Sequence, residues 1–545
     1  MAAEAAQREA EAADKAARRR TRDGPPVITP REINEAMRLN QLGDAKLFIR
    51  LFEGRYCFDN KEERWYRYNG TRWLPDTGRH HYFAVCEELA PLYEDRARAL
   101  GAALSRYEAE HGVCIAAMQR KDIQMLGLGR VAALAARRDA LNKRAAALRD
   151  VARVKKVLTL VGAGANSLGL EGDEWNRHPA MLVCANTMVD LETGRSRQPS
   201  PWDYINMSTP VEWRGLNAEC PAWDHFLDQV FEGNAELIDY VQRLAGYWLT
   251  GYTNIQEFWC LWGPRGRNGK GVFFRALRSI MGDYYTTVPV ELLLDQGKAG
   301  NSSGPRQDLV NLRFRRLGVA SESKKTAKFS DAAIKMLTGG DPIPCRGVYS
   351  SEQIEFIPEC KLLFATNRIP TVDGGDQAFK QRLRVIPFYC QFLPGITDPE
   401  KKIFPMDRML EETLNTPAEL SGRLAWAVRG AMRLLGDGMR LPPPAIVVQE
   451  TDEYMDAQDL VGEFLRECVE ITDGEGGRKT MVSHMYASFR HWCQQEKSMA
   501  EKFVPSHVVF GQDLKGRPEL RRVSPINKVF YAAVVKPEHE PPAEG

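Results

Sequence analysis

A glycine-rich segment at residues 263–270 combines the residue types that bind the phosphates of a nucleoside triphosphate. Phosphate binding needs converging backbone N–H groups, glycines that allow a close approach, and a lysine that reaches the β- and γ-phosphates. The segment, Gly-Pro-Arg-Gly-Arg-Asn-Gly-Lys, supplies all three. It predicts an ATP-binding loop, with a purely structural glycine-rich turn as the alternative. The predicted binding residues are Gly263, Gly266, Arg267, Asn268, Gly269, Lys270, Gly271 and Val272.

This loop departs from the common phosphate-loop pattern at two places. Five residues, rather than four, separate Gly263 from Gly269, and Pro264 stands where the first glycine is expected. Gly271 takes the position whose Ser or Thr hydroxyl normally binds Mg²⁺. We expect Mg²⁺ as a cofactor, held by water or by another side chain.

A second candidate lies after the apolar residues 317–320, which have the pattern of a short strand. Ser321 and Glu322 follow it, and an acidic residue at the carboxyl end of a strand can polarise an attacking water. Glu322 is therefore the predicted catalytic carboxylate, and both residues are candidate Mg²⁺ ligands. A structural or solvated glutamate is the alternative.

Further polar residues flank two more strand patterns. Residues 361–366 precede Asn367, whose neutral side chain can hydrogen-bond a γ-phosphate or the attacking water. Arg382 and Arg384 adjoin the apolar residues 385–388 and can stabilise transition-state charge across a subunit boundary. The alternative for these arginines is a solvated pair on an edge strand.

The elements that must position these residues alternate between strand and helix patterns. An apolar strand pattern at residues 258–262 leads into the loop, and a helix pattern at residues 272–277 follows it. Residues 223–250 have helical spacing, and the alternation continues to about residue 388. The sequence thus predicts an α/β fold with a parallel or mixed sheet covered on both faces.

Upstream, the sequence predicts a hairpin, long helices and a small β element. Aromatic residues flank Asn69-Gly70, a type I′ hairpin signal. Residues 83–161 have the spacing of two or three long amphipathic helices, with either solvated basic faces or a DNA-binding face. Residues 181–184 and 188–191 are patterned as short strands. Residues 1–23 lack an apolar stripe and are expected to be frayed or disordered.

Composition restricts the class of protein. A chain of 545 residues with 43% hydrophobic and 27% charged residues is typical of several globular domains, because single cores rarely grow beyond ~250–300 residues. The net charge of +2 excludes a global basic field, so nucleic-acid contacts must be local. The 11 cysteines form no C-x-x-C pair, which argues against a zinc site and for a reducing compartment. Without a long apolar run, we expect a cytosolic protein that does not contact membranes.

The order of these motifs resembles that of superfamily 3 helicases, in particular the poxvirus D5-like and the phage and plasmid P4-like replication proteins. The most specific match is Ile-Lys-Met-Leu-Thr-Gly-Gly-Asp at residues 334–341, followed by Arg346, Tyr349, Phe-Ile-Pro at residues 356–358 and Ala-Thr-Asn-Arg-Ile-Pro at residues 365–370. The likeness covers most of residues 55–535. A D-x-D motif of the primase half of longer relatives is missing, so separate primase or replication proteins would be partners.

The resemblance implies an AAA+-like P-loop ATPase domain, with an N-terminal helical and β region and a C-terminal winged-helix-like domain. The expected divisions are a tail (1–45), a D5-like N-terminal region (46–222), the ATPase domain with its helical lead-in (223–395), a helical lid and linker (396–460) and the C-terminal domain (461–545).

It also implies roles for the candidates. Lys270 would hold the phosphates, Glu322 would activate water, and Asn367 would act as the sensor. Arg382 would be the arginine finger for a neighbouring subunit, with Arg384 as the second candidate.

Two stretches are locally basic: residues 301–390 contain 14 Lys/Arg against 9 Asp/Glu, and residues 478–536 contain 11 against 4. In the helicase family that the sequence resembles, a hairpin after the Gly-Gly-Asp segment faces the pore of a ring. The predicted single-strand contacts are therefore Lys324, Lys325, Lys328, Lys335 and Arg346. Helical spacing followed by a short hairpin in the last module suggests a winged helix, and its charge excess favours duplex contacts by Lys515, Arg517, Arg521 and Arg522.

Together these features predict an ATP-dependent DNA helicase that moves along DNA as a ring, a hexamer by resemblance, during replication of a phage, plasmid or mobile element in the bacterial cytoplasm. The alternative is an ATP-gated DNA-binding or assembly protein with little hydrolysis, which the departures at Gly271 and Ser321 favour. A small-molecule kinase is a weaker alternative, since nothing in the sequence forms a compact acceptor pocket.

Overall fold

In the computed structural model, the described residues are 26–295, 306–321, 327–347, 353–372, 377–473, 478–501, 504–523 and 529–540. The predicted disorder of residues 1–23 lies outside these ranges. The chain divides into two compact units. The first comprises Met1–Pro179, Val183–Met188 and Ser196–Ser208, and the second Ala180–Leu182, Val189–Arg195 and Thr209–Gly545.

The first unit combines helices with a small sheet. Its helices are α1 (Pro30–Leu39), α2 (Gln41–Phe52), α3 (His80–Phe83), α4 (Ala90–His111), α5 (Arg120–Met125), α6 (Gly129–Ala147) and α7 (Val151–Val161), with a π-helical turn at Ala84–Leu89 between α3 and α4. Its strands are β1 (Tyr56–Asp59), β2 (Arg64–Tyr68), β3 (Trp73–Pro75) and β4 (Gly169–Leu170), in the order β3-β2-β1-β4. The apolar faces of the helices share one core that includes Phe48, Tyr93, Leu141 and Val157. The prediction of long amphipathic helices in this region is confirmed.

The hairpin after Tyr68 differs in its turn from the prediction. Strands β2 and β3 do pair antiparallel, with Tyr68 opposite Trp73. However, the Asn69 backbone N–H donates to the Arg72 carbonyl, so Gly70 and Thr71 form the turn. Only Gly70 there has a positive φ, +100°, whereas a type I′ turn needs two such residues. Asn69 instead caps the turn: its Oδ1 accepts the N–H of Thr71 at 3.0 Å and that of Arg72 at 2.8 Å.

Residues 180–208 are divided between the two units and carry three short strands. They are β5 (Met181–Val183), β6 (Met188–Asp190) and β7 (Ser196–Arg197), in the order β5-β6-β7. The first two confirm the predicted strands.

The second unit is built around a five-stranded sheet. The remaining strands of the chain are β8 (Phe258–Trp262), β9 (Tyr285–Thr287), β10 (Leu317–Ser321), β11 (Ile343–Cys345), β12 (Ile354–Phe356), β13 (Lys361–Thr366), β14 (Leu383–Pro387), β15 (Gln391–Leu393), β16 (Ile403–Pro405), β17 (Val469–Ile471), β18 (Thr480–Met481), β19 (Phe530–Tyr531) and β20 (Ala533–Val535). The sheet has the order β14-β8-β13-β10-β9, and all four neighbouring pairs are parallel. The predicted α/β architecture with a parallel sheet is confirmed.

The register brings the carboxyl ends of the sheet strands to one edge. Thr366 pairs with Trp262, Trp262 with Pro387, and Ser321 with Ala365. Strands β8 and β13 are almost entirely buried along their length, as expected of strands covered on both faces. The polar residues that follow these strands therefore lie at the carboxyl edge of the sheet.

Helices cover the sheet and extend the unit. They are α8 (Pro221–Val230), α9 (Ala235–Leu249), α10 (Lys270–Met281), α11 (Gln307–Val310), α12 (Asp331–Thr338), α13 (Gln377–Arg382), α14 (Leu410–Leu414), α15 (Pro417–Gly436), α16 (Ala445–Gln458), α17 (Leu460–Cys468), α18 (Val482–Gln495) and α19 (His507–Lys515). Helices α9 and α15 cross with their backbones in contact, since a Cβ on Gly246 would lie 2.0 Å from the Ala431 nitrogen. No helix in the described ranges is long and apolar enough to cross a membrane.

The last part of the chain forms its own hydrophobic cluster. Helices α17, α18 and α19 contribute Phe464, Phe489, Trp492 and Phe510, all nearly inaccessible to solvent. Two antiparallel pairs, β17 with β20 and β18 with β19, accompany them. The aromatic residues with helical spacing are thus core residues.

Candidate nucleotide-binding site

The glycine-rich loop connects β8 to α10 at the carboxyl edge of the sheet. Arg267 and Gly269 both have left-handed backbone conformations, with φ of +61° and +86°. Gly263 is required by close packing, because a Cβ there would lie 2.1 Å from Asn268 Nδ2 and 2.6 Å from the Phe388 carbonyl oxygen. The glycines at 263 and 269 therefore shape the loop itself and also give a ligand access to its backbone.

Lys270, the first residue of α10, points into this loop and is only 7% exposed. Its Nζ donates to Asn367 Oδ1 at 2.7 Å, to Asn268 Oδ1 at 3.0 Å and to the Gly263 carbonyl oxygen at 3.4 Å. Burial lowers the pKa of Lys270 to about 8. The lysine of the loop and the asparagine after β13, 97 residues apart in sequence, thus form one polar cluster.

Ser321 ends β10 at the same edge and is exposed. It pairs with Ala365, two residues before Asn367. Glu322, the predicted catalytic carboxylate, lies outside the described residues. The described part of the edge therefore offers the Ser321 hydroxyl as a candidate Mg²⁺ ligand.

Gly271 has room for a larger side chain. A Cβ there would meet the Nη1 atom of Arg275 at 3.0 Å, and Arg275 is an exposed side chain paired with Glu411. Since the contact is with the mobile end of an arginine, packing does not explain the missing hydroxyl.

Arg382 and Arg384 lie at the opposite edge of the sheet from the loop of their own chain. Leu383 pairs with Phe258, the first residue of β8, so a five-residue strand of about 3.3 Å per residue separates them from the loop. Arg382 is half-buried, and its Nη1 donates to the Ala378 carbonyl oxygen at 3.0 Å. Arg384 is 19% exposed and pairs with Glu257.

The sequence did not signal the role of Glu257, which precedes β8. Burial raises the pKa of Glu257 to about 7, although Arg384 opposes this rise. The side chain of Glu257 is 13% exposed. Arg384 is therefore held by a carboxylate of its own chain, whereas Arg382 has no carboxylate partner among the described residues.

The predicted single-strand contacts lie partly within the described chain. Strands β11 and β12 pair antiparallel, Ile343 with Phe356, and form the hairpin implied by the resemblance. Arg346 follows β11 and is exposed, whereas Lys335 on α12 pairs with Asp331 at 2.6 Å. Lys328 is half-buried, and its backbone forms an isolated parallel β-bridge with that of Thr371. Lys324, Lys325 and Tyr349 lie outside the described residues.

The four basic candidates of the last module have different environments. Lys515, Arg521 and Arg522 are exposed. Arg517 is 12% exposed and pairs with Asp459 and with Asp513, the latter at 2.8 Å. Arg517 thus joins α19 to the start of α17 and leaves three exposed cations for an external ligand.

A protein-family model described as "D5 N terminal like" matches residues 45–232. "Putative helicase L207/L206" of Acanthamoeba polyphaga mimivirus is 25% identical over 478 residues, which is 84% of this chain and 46% of the relative. "Putative helicase 121R" of Invertebrate iridescent virus 3 is 23% identical over 474 residues, 82% of this chain and 49% of the relative.

The chain is thus similar to the D5 N-terminal-like family over residues 45–232 and to these two viral relatives over most of its length. The chain spans about half the length of these two relatives. Because the mimivirus match takes in 84% of the chain, it includes most of both units and not only the part matched by the family model.

Among solved structures, the chain is similar to "The A form apo structure of NrS-1 C terminal region-CTR" at 10% identity and a TM-score of 0.32. This match covers 64% of the present chain and 94% of the other.

Proposed function

We propose that this D5-like chain is an ATP-dependent DNA helicase that translocates on DNA as a ring during replication of a mobile genetic element, phage or plasmid. The supporting observation is the cluster of Lys270, Asn268 and Asn367 at the carboxyl edge of a parallel sheet, where such folds bind ligands. The two relatives named above are both viral proteins called helicases.

Binding of ATP rearranges this cluster. A phosphate at the loop competes with Asn367 for the Lys270 ammonium, because a charge-assisted bond to phosphate is stronger than a bond to a neutral amide. Lys270 then turns to the phosphate and releases Asn367 Oδ1, which is free to orient water. Asn367 thereby senses whether the γ-phosphate position is filled.

Hydrolysis needs a base and an electrophile beside this cluster. Glu322, the residue that follows Ser321 in the sequence, would take the proton of the attacking water. Ser321 and Glu322, together with water, would hold Mg²⁺, which would supply neutralising charge for the phosphates. Because Gly271 has no hydroxyl, Mg²⁺ would be bound more weakly than in a common phosphate loop.

The arginines argue for a ring. Because Arg382 and Arg384 lie at the sheet edge away from their own loop, neither reaches the nucleotide bound by its own chain. Arg382 is the better finger, since Glu257 engages Arg384. In an AAA+-like hexamer, Arg382 of one subunit would stabilise the charge on the nucleotide of the next.

DNA would be bound at two places. The β11–β12 hairpin, with Arg346 behind β11, would follow a single strand in the pore, together with Lys328, Lys335, Lys324 and Lys325. The last module, a winged-helix-like domain, would bind duplex through Lys515, Arg521 and Arg522.

Mixing two inactive variants tests the assignment. Lys270→Ala removes the phosphate lysine and Arg382→Ala removes the finger, so each alone should hydrolyse ATP slowly. Mixed rings contain interfaces with an intact loop and an intact finger, so mixing should restore DNA-stimulated ATP turnover and unwinding of a forked duplex. No recovery in rings shown to exchange subunits would contradict the trans arrangement.

A second candidate is an ATP-gated DNA-binding or assembly protein with little hydrolysis, which Gly271 favours. Wild-type protein that binds ATP and forms rings on DNA, yet shows no DNA-stimulated turnover with Mg²⁺, would support it over the helicase.

A further inference from the structure

The first unit contains a cavity of about 930 Å³ that is separate from the nucleotide-binding loop. It opens between strands β1 and β2, the segment that leads into α3, and one side of α7. Nothing in the proposed ATPase cycle uses it. Its lining combines aromatic rings and cations with the carboxyl groups of Glu63 and of Asp76, the latter bonded to His80 and His81.

One wall of this cavity is aromatic. Trp65 stacks on His81 with ring centroids 4.7 Å apart and planes inclined by 15°, and Phe58 lies 5.4 Å from Trp65. Trp65 is only partly buried, so part of the indole remains available. The wall therefore offers an aromatic surface of fixed orientation.

His81 is held in one tautomer by Asp76. The Asp76 carboxylate accepts Nδ1–H of His81 at 2.6 Å, the His81 backbone N–H at 3.0 Å, and Nδ1–H of His80 at 2.6 Å. Burial lowers the pKa of His81, which keeps the ring neutral near pH 7. With Nδ1 protonated and bound, Nε2 is left as a hydrogen-bond acceptor.

Three cations surround the aromatic wall. Arg64, Arg79 and Lys155 all line the cavity and are exposed. None of them makes an ion pair within the described ranges, whereas many other arginines of this unit do, for example Arg144 and Arg153 with Asp44. Unpaired cations beside an aromatic surface match the phosphate and the base of a nucleotide.

The backbone around the cavity is also unusual. Arg79 has a left-handed conformation with φ of +54°, and a π-helical turn begins at Ala84, two residues after the lining residue Tyr82. Both features cost energy and are concentrated at functional sites.

We propose that this cavity binds a nucleotide unit, with its base against Trp65, which is backed by the buried His81, and its phosphates at Arg64, Arg79 and Lys155, and that the unit belongs to a single-stranded DNA. The open rim of exposed side chains allows a strand to enter and leave, which favours a strand over a free nucleotide. This site lies outside the motor, and the proposal holds whether or not the chain hydrolyses ATP.

Photo-crosslinking tests the proposal directly. Full-length protein is irradiated with oligo(dT) that carries 4-thiothymidine, or with 4-thio-dTTP, and the cross-linked peptides are identified by mass spectrometry. We expect oligo(dT) to cross-link to peptides that contain Trp65 or His81. If only 4-thio-dTTP cross-links to these peptides, the cavity binds a free nucleotide and not a DNA strand. If neither probe cross-links there, the proposal is wrong.

A charge-matched pair of variants measures the phosphate contacts. The triple variant Arg64→Ala, Arg79→Ala and Lys155→Ala removes the lining cations, and its control, Arg137→Ala, Lys143→Ala and Lys156→Ala, removes three exposed cations of the same unit that do not line the cavity. Anisotropy titrations against salt should give the lining variant a log–log slope smaller by about 2, since each single-strand phosphate contributes about 0.7. Equal slopes for the lining variant and its control would overturn the proposal.

Discussion

Two buried lysines lie at opposite edges of the same parallel sheet and have opposite surroundings. Lys270, at the carboxyl edge, bonds to the side-chain amides of Asn268 and Asn367. Lys361 starts β13 at the amino edge, is 4% exposed, donates to the Thr250 carbonyl oxygen, and lies 5.0 Å from the centroid of the Tyr247 ring. In both cases burial is the first cause that lowers the pKa.

What separates them is the kind of partner. Thr250 directly follows α9, so its carbonyl is one of the unpaired acceptors that every helix end leaves, and its position is fixed. Arg316 Nη1 donates to the preceding carbonyl oxygen, that of Leu249, at 2.5 Å. Asn367, in contrast, is an exposed side chain that can move away. A lowered lysine pKa by itself therefore does not indicate function. It indicates a binding site when the hydrogen-bond partners of the lysine, like Asn367, are side chains that a ligand can replace.

The largest effect that distinguishes the two lysines should be on catalysis. We expect Lys270→Met to reduce ATP turnover by about 100- to 1,000-fold, the usual cost of losing one group that stabilises transition-state charge. Steady-state phosphate release measures this. Lys361→Met, assayed below its unfolding temperature, is the control and should keep near wild-type turnover per folded subunit. Equal losses in both variants would remove the distinction.

The second effect should appear in stability and should have the opposite order. Lys361→Met leaves the buried Thr250 carbonyl without its donor, which costs about 1–3 kcal/mol. Denaturant unfolding followed by tryptophan fluorescence should show an earlier first transition than in Lys270→Met. A Lys270→Met protein that unfolds first would contradict the structural role given to Lys361.

A third difference concerns pH. Because the Lys270 pKa is about 8, the ammonium is largely charged below pH 8 and ATP binds without proton uptake. Above pH 8 a proton must be taken up on binding, so ATP affinity should fall by up to about tenfold per pH unit. Titrations with a fluorescent ATP analogue between pH 7 and 10 measure this. In Lys270→Arg, which stays charged, the ATP affinity should be nearly constant above pH 8. If the affinity of this variant falls as steeply as that of the wild type, a group other than Lys270 causes the pH dependence.

The smallest effect should come from restoring the missing hydroxyl. Gly271→Thr fits if Arg275 shifts slightly, and it should lower the Mg²⁺ concentration for half-maximal turnover severalfold. Gly271→Ala adds the Cβ without the hydroxyl and is the matched control. Identical Mg²⁺ dependence in the two variants would mean that the metal is held entirely by other groups.

Sequence predicted the sheet well because its strands are buried on both faces and therefore appear as continuous apolar runs. Strand β13 was delimited without error, and the polar residue after it, Asn367, does meet the loop lysine. The hairpin at Asn69 was predicted, but its turn was not, because Asn69 uses its side chain as a cap instead of taking a left-handed backbone.

Ion pairs between distant residues could not be read from sequence. Arg517 was predicted as a DNA contact from local charge, yet its partner Asp459 lies 58 residues earlier. Arg384 meets Glu257 only because β14 lies beside β8. Net charge counted along the chain therefore overstates the charge that a folded module presents to a ligand.

The outer edge of β14 has a consequence for assembly. The backbone N–H of Val385 donates to Thr451 Oγ1 of α16 at 3.0 Å, and that helix packs along the strand. The sheet therefore cannot be extended on this side by a strand from another molecule. Any molecule that contacts this edge must therefore recognise side chains, and separating from it breaks no hydrogen bond of the sheet backbone.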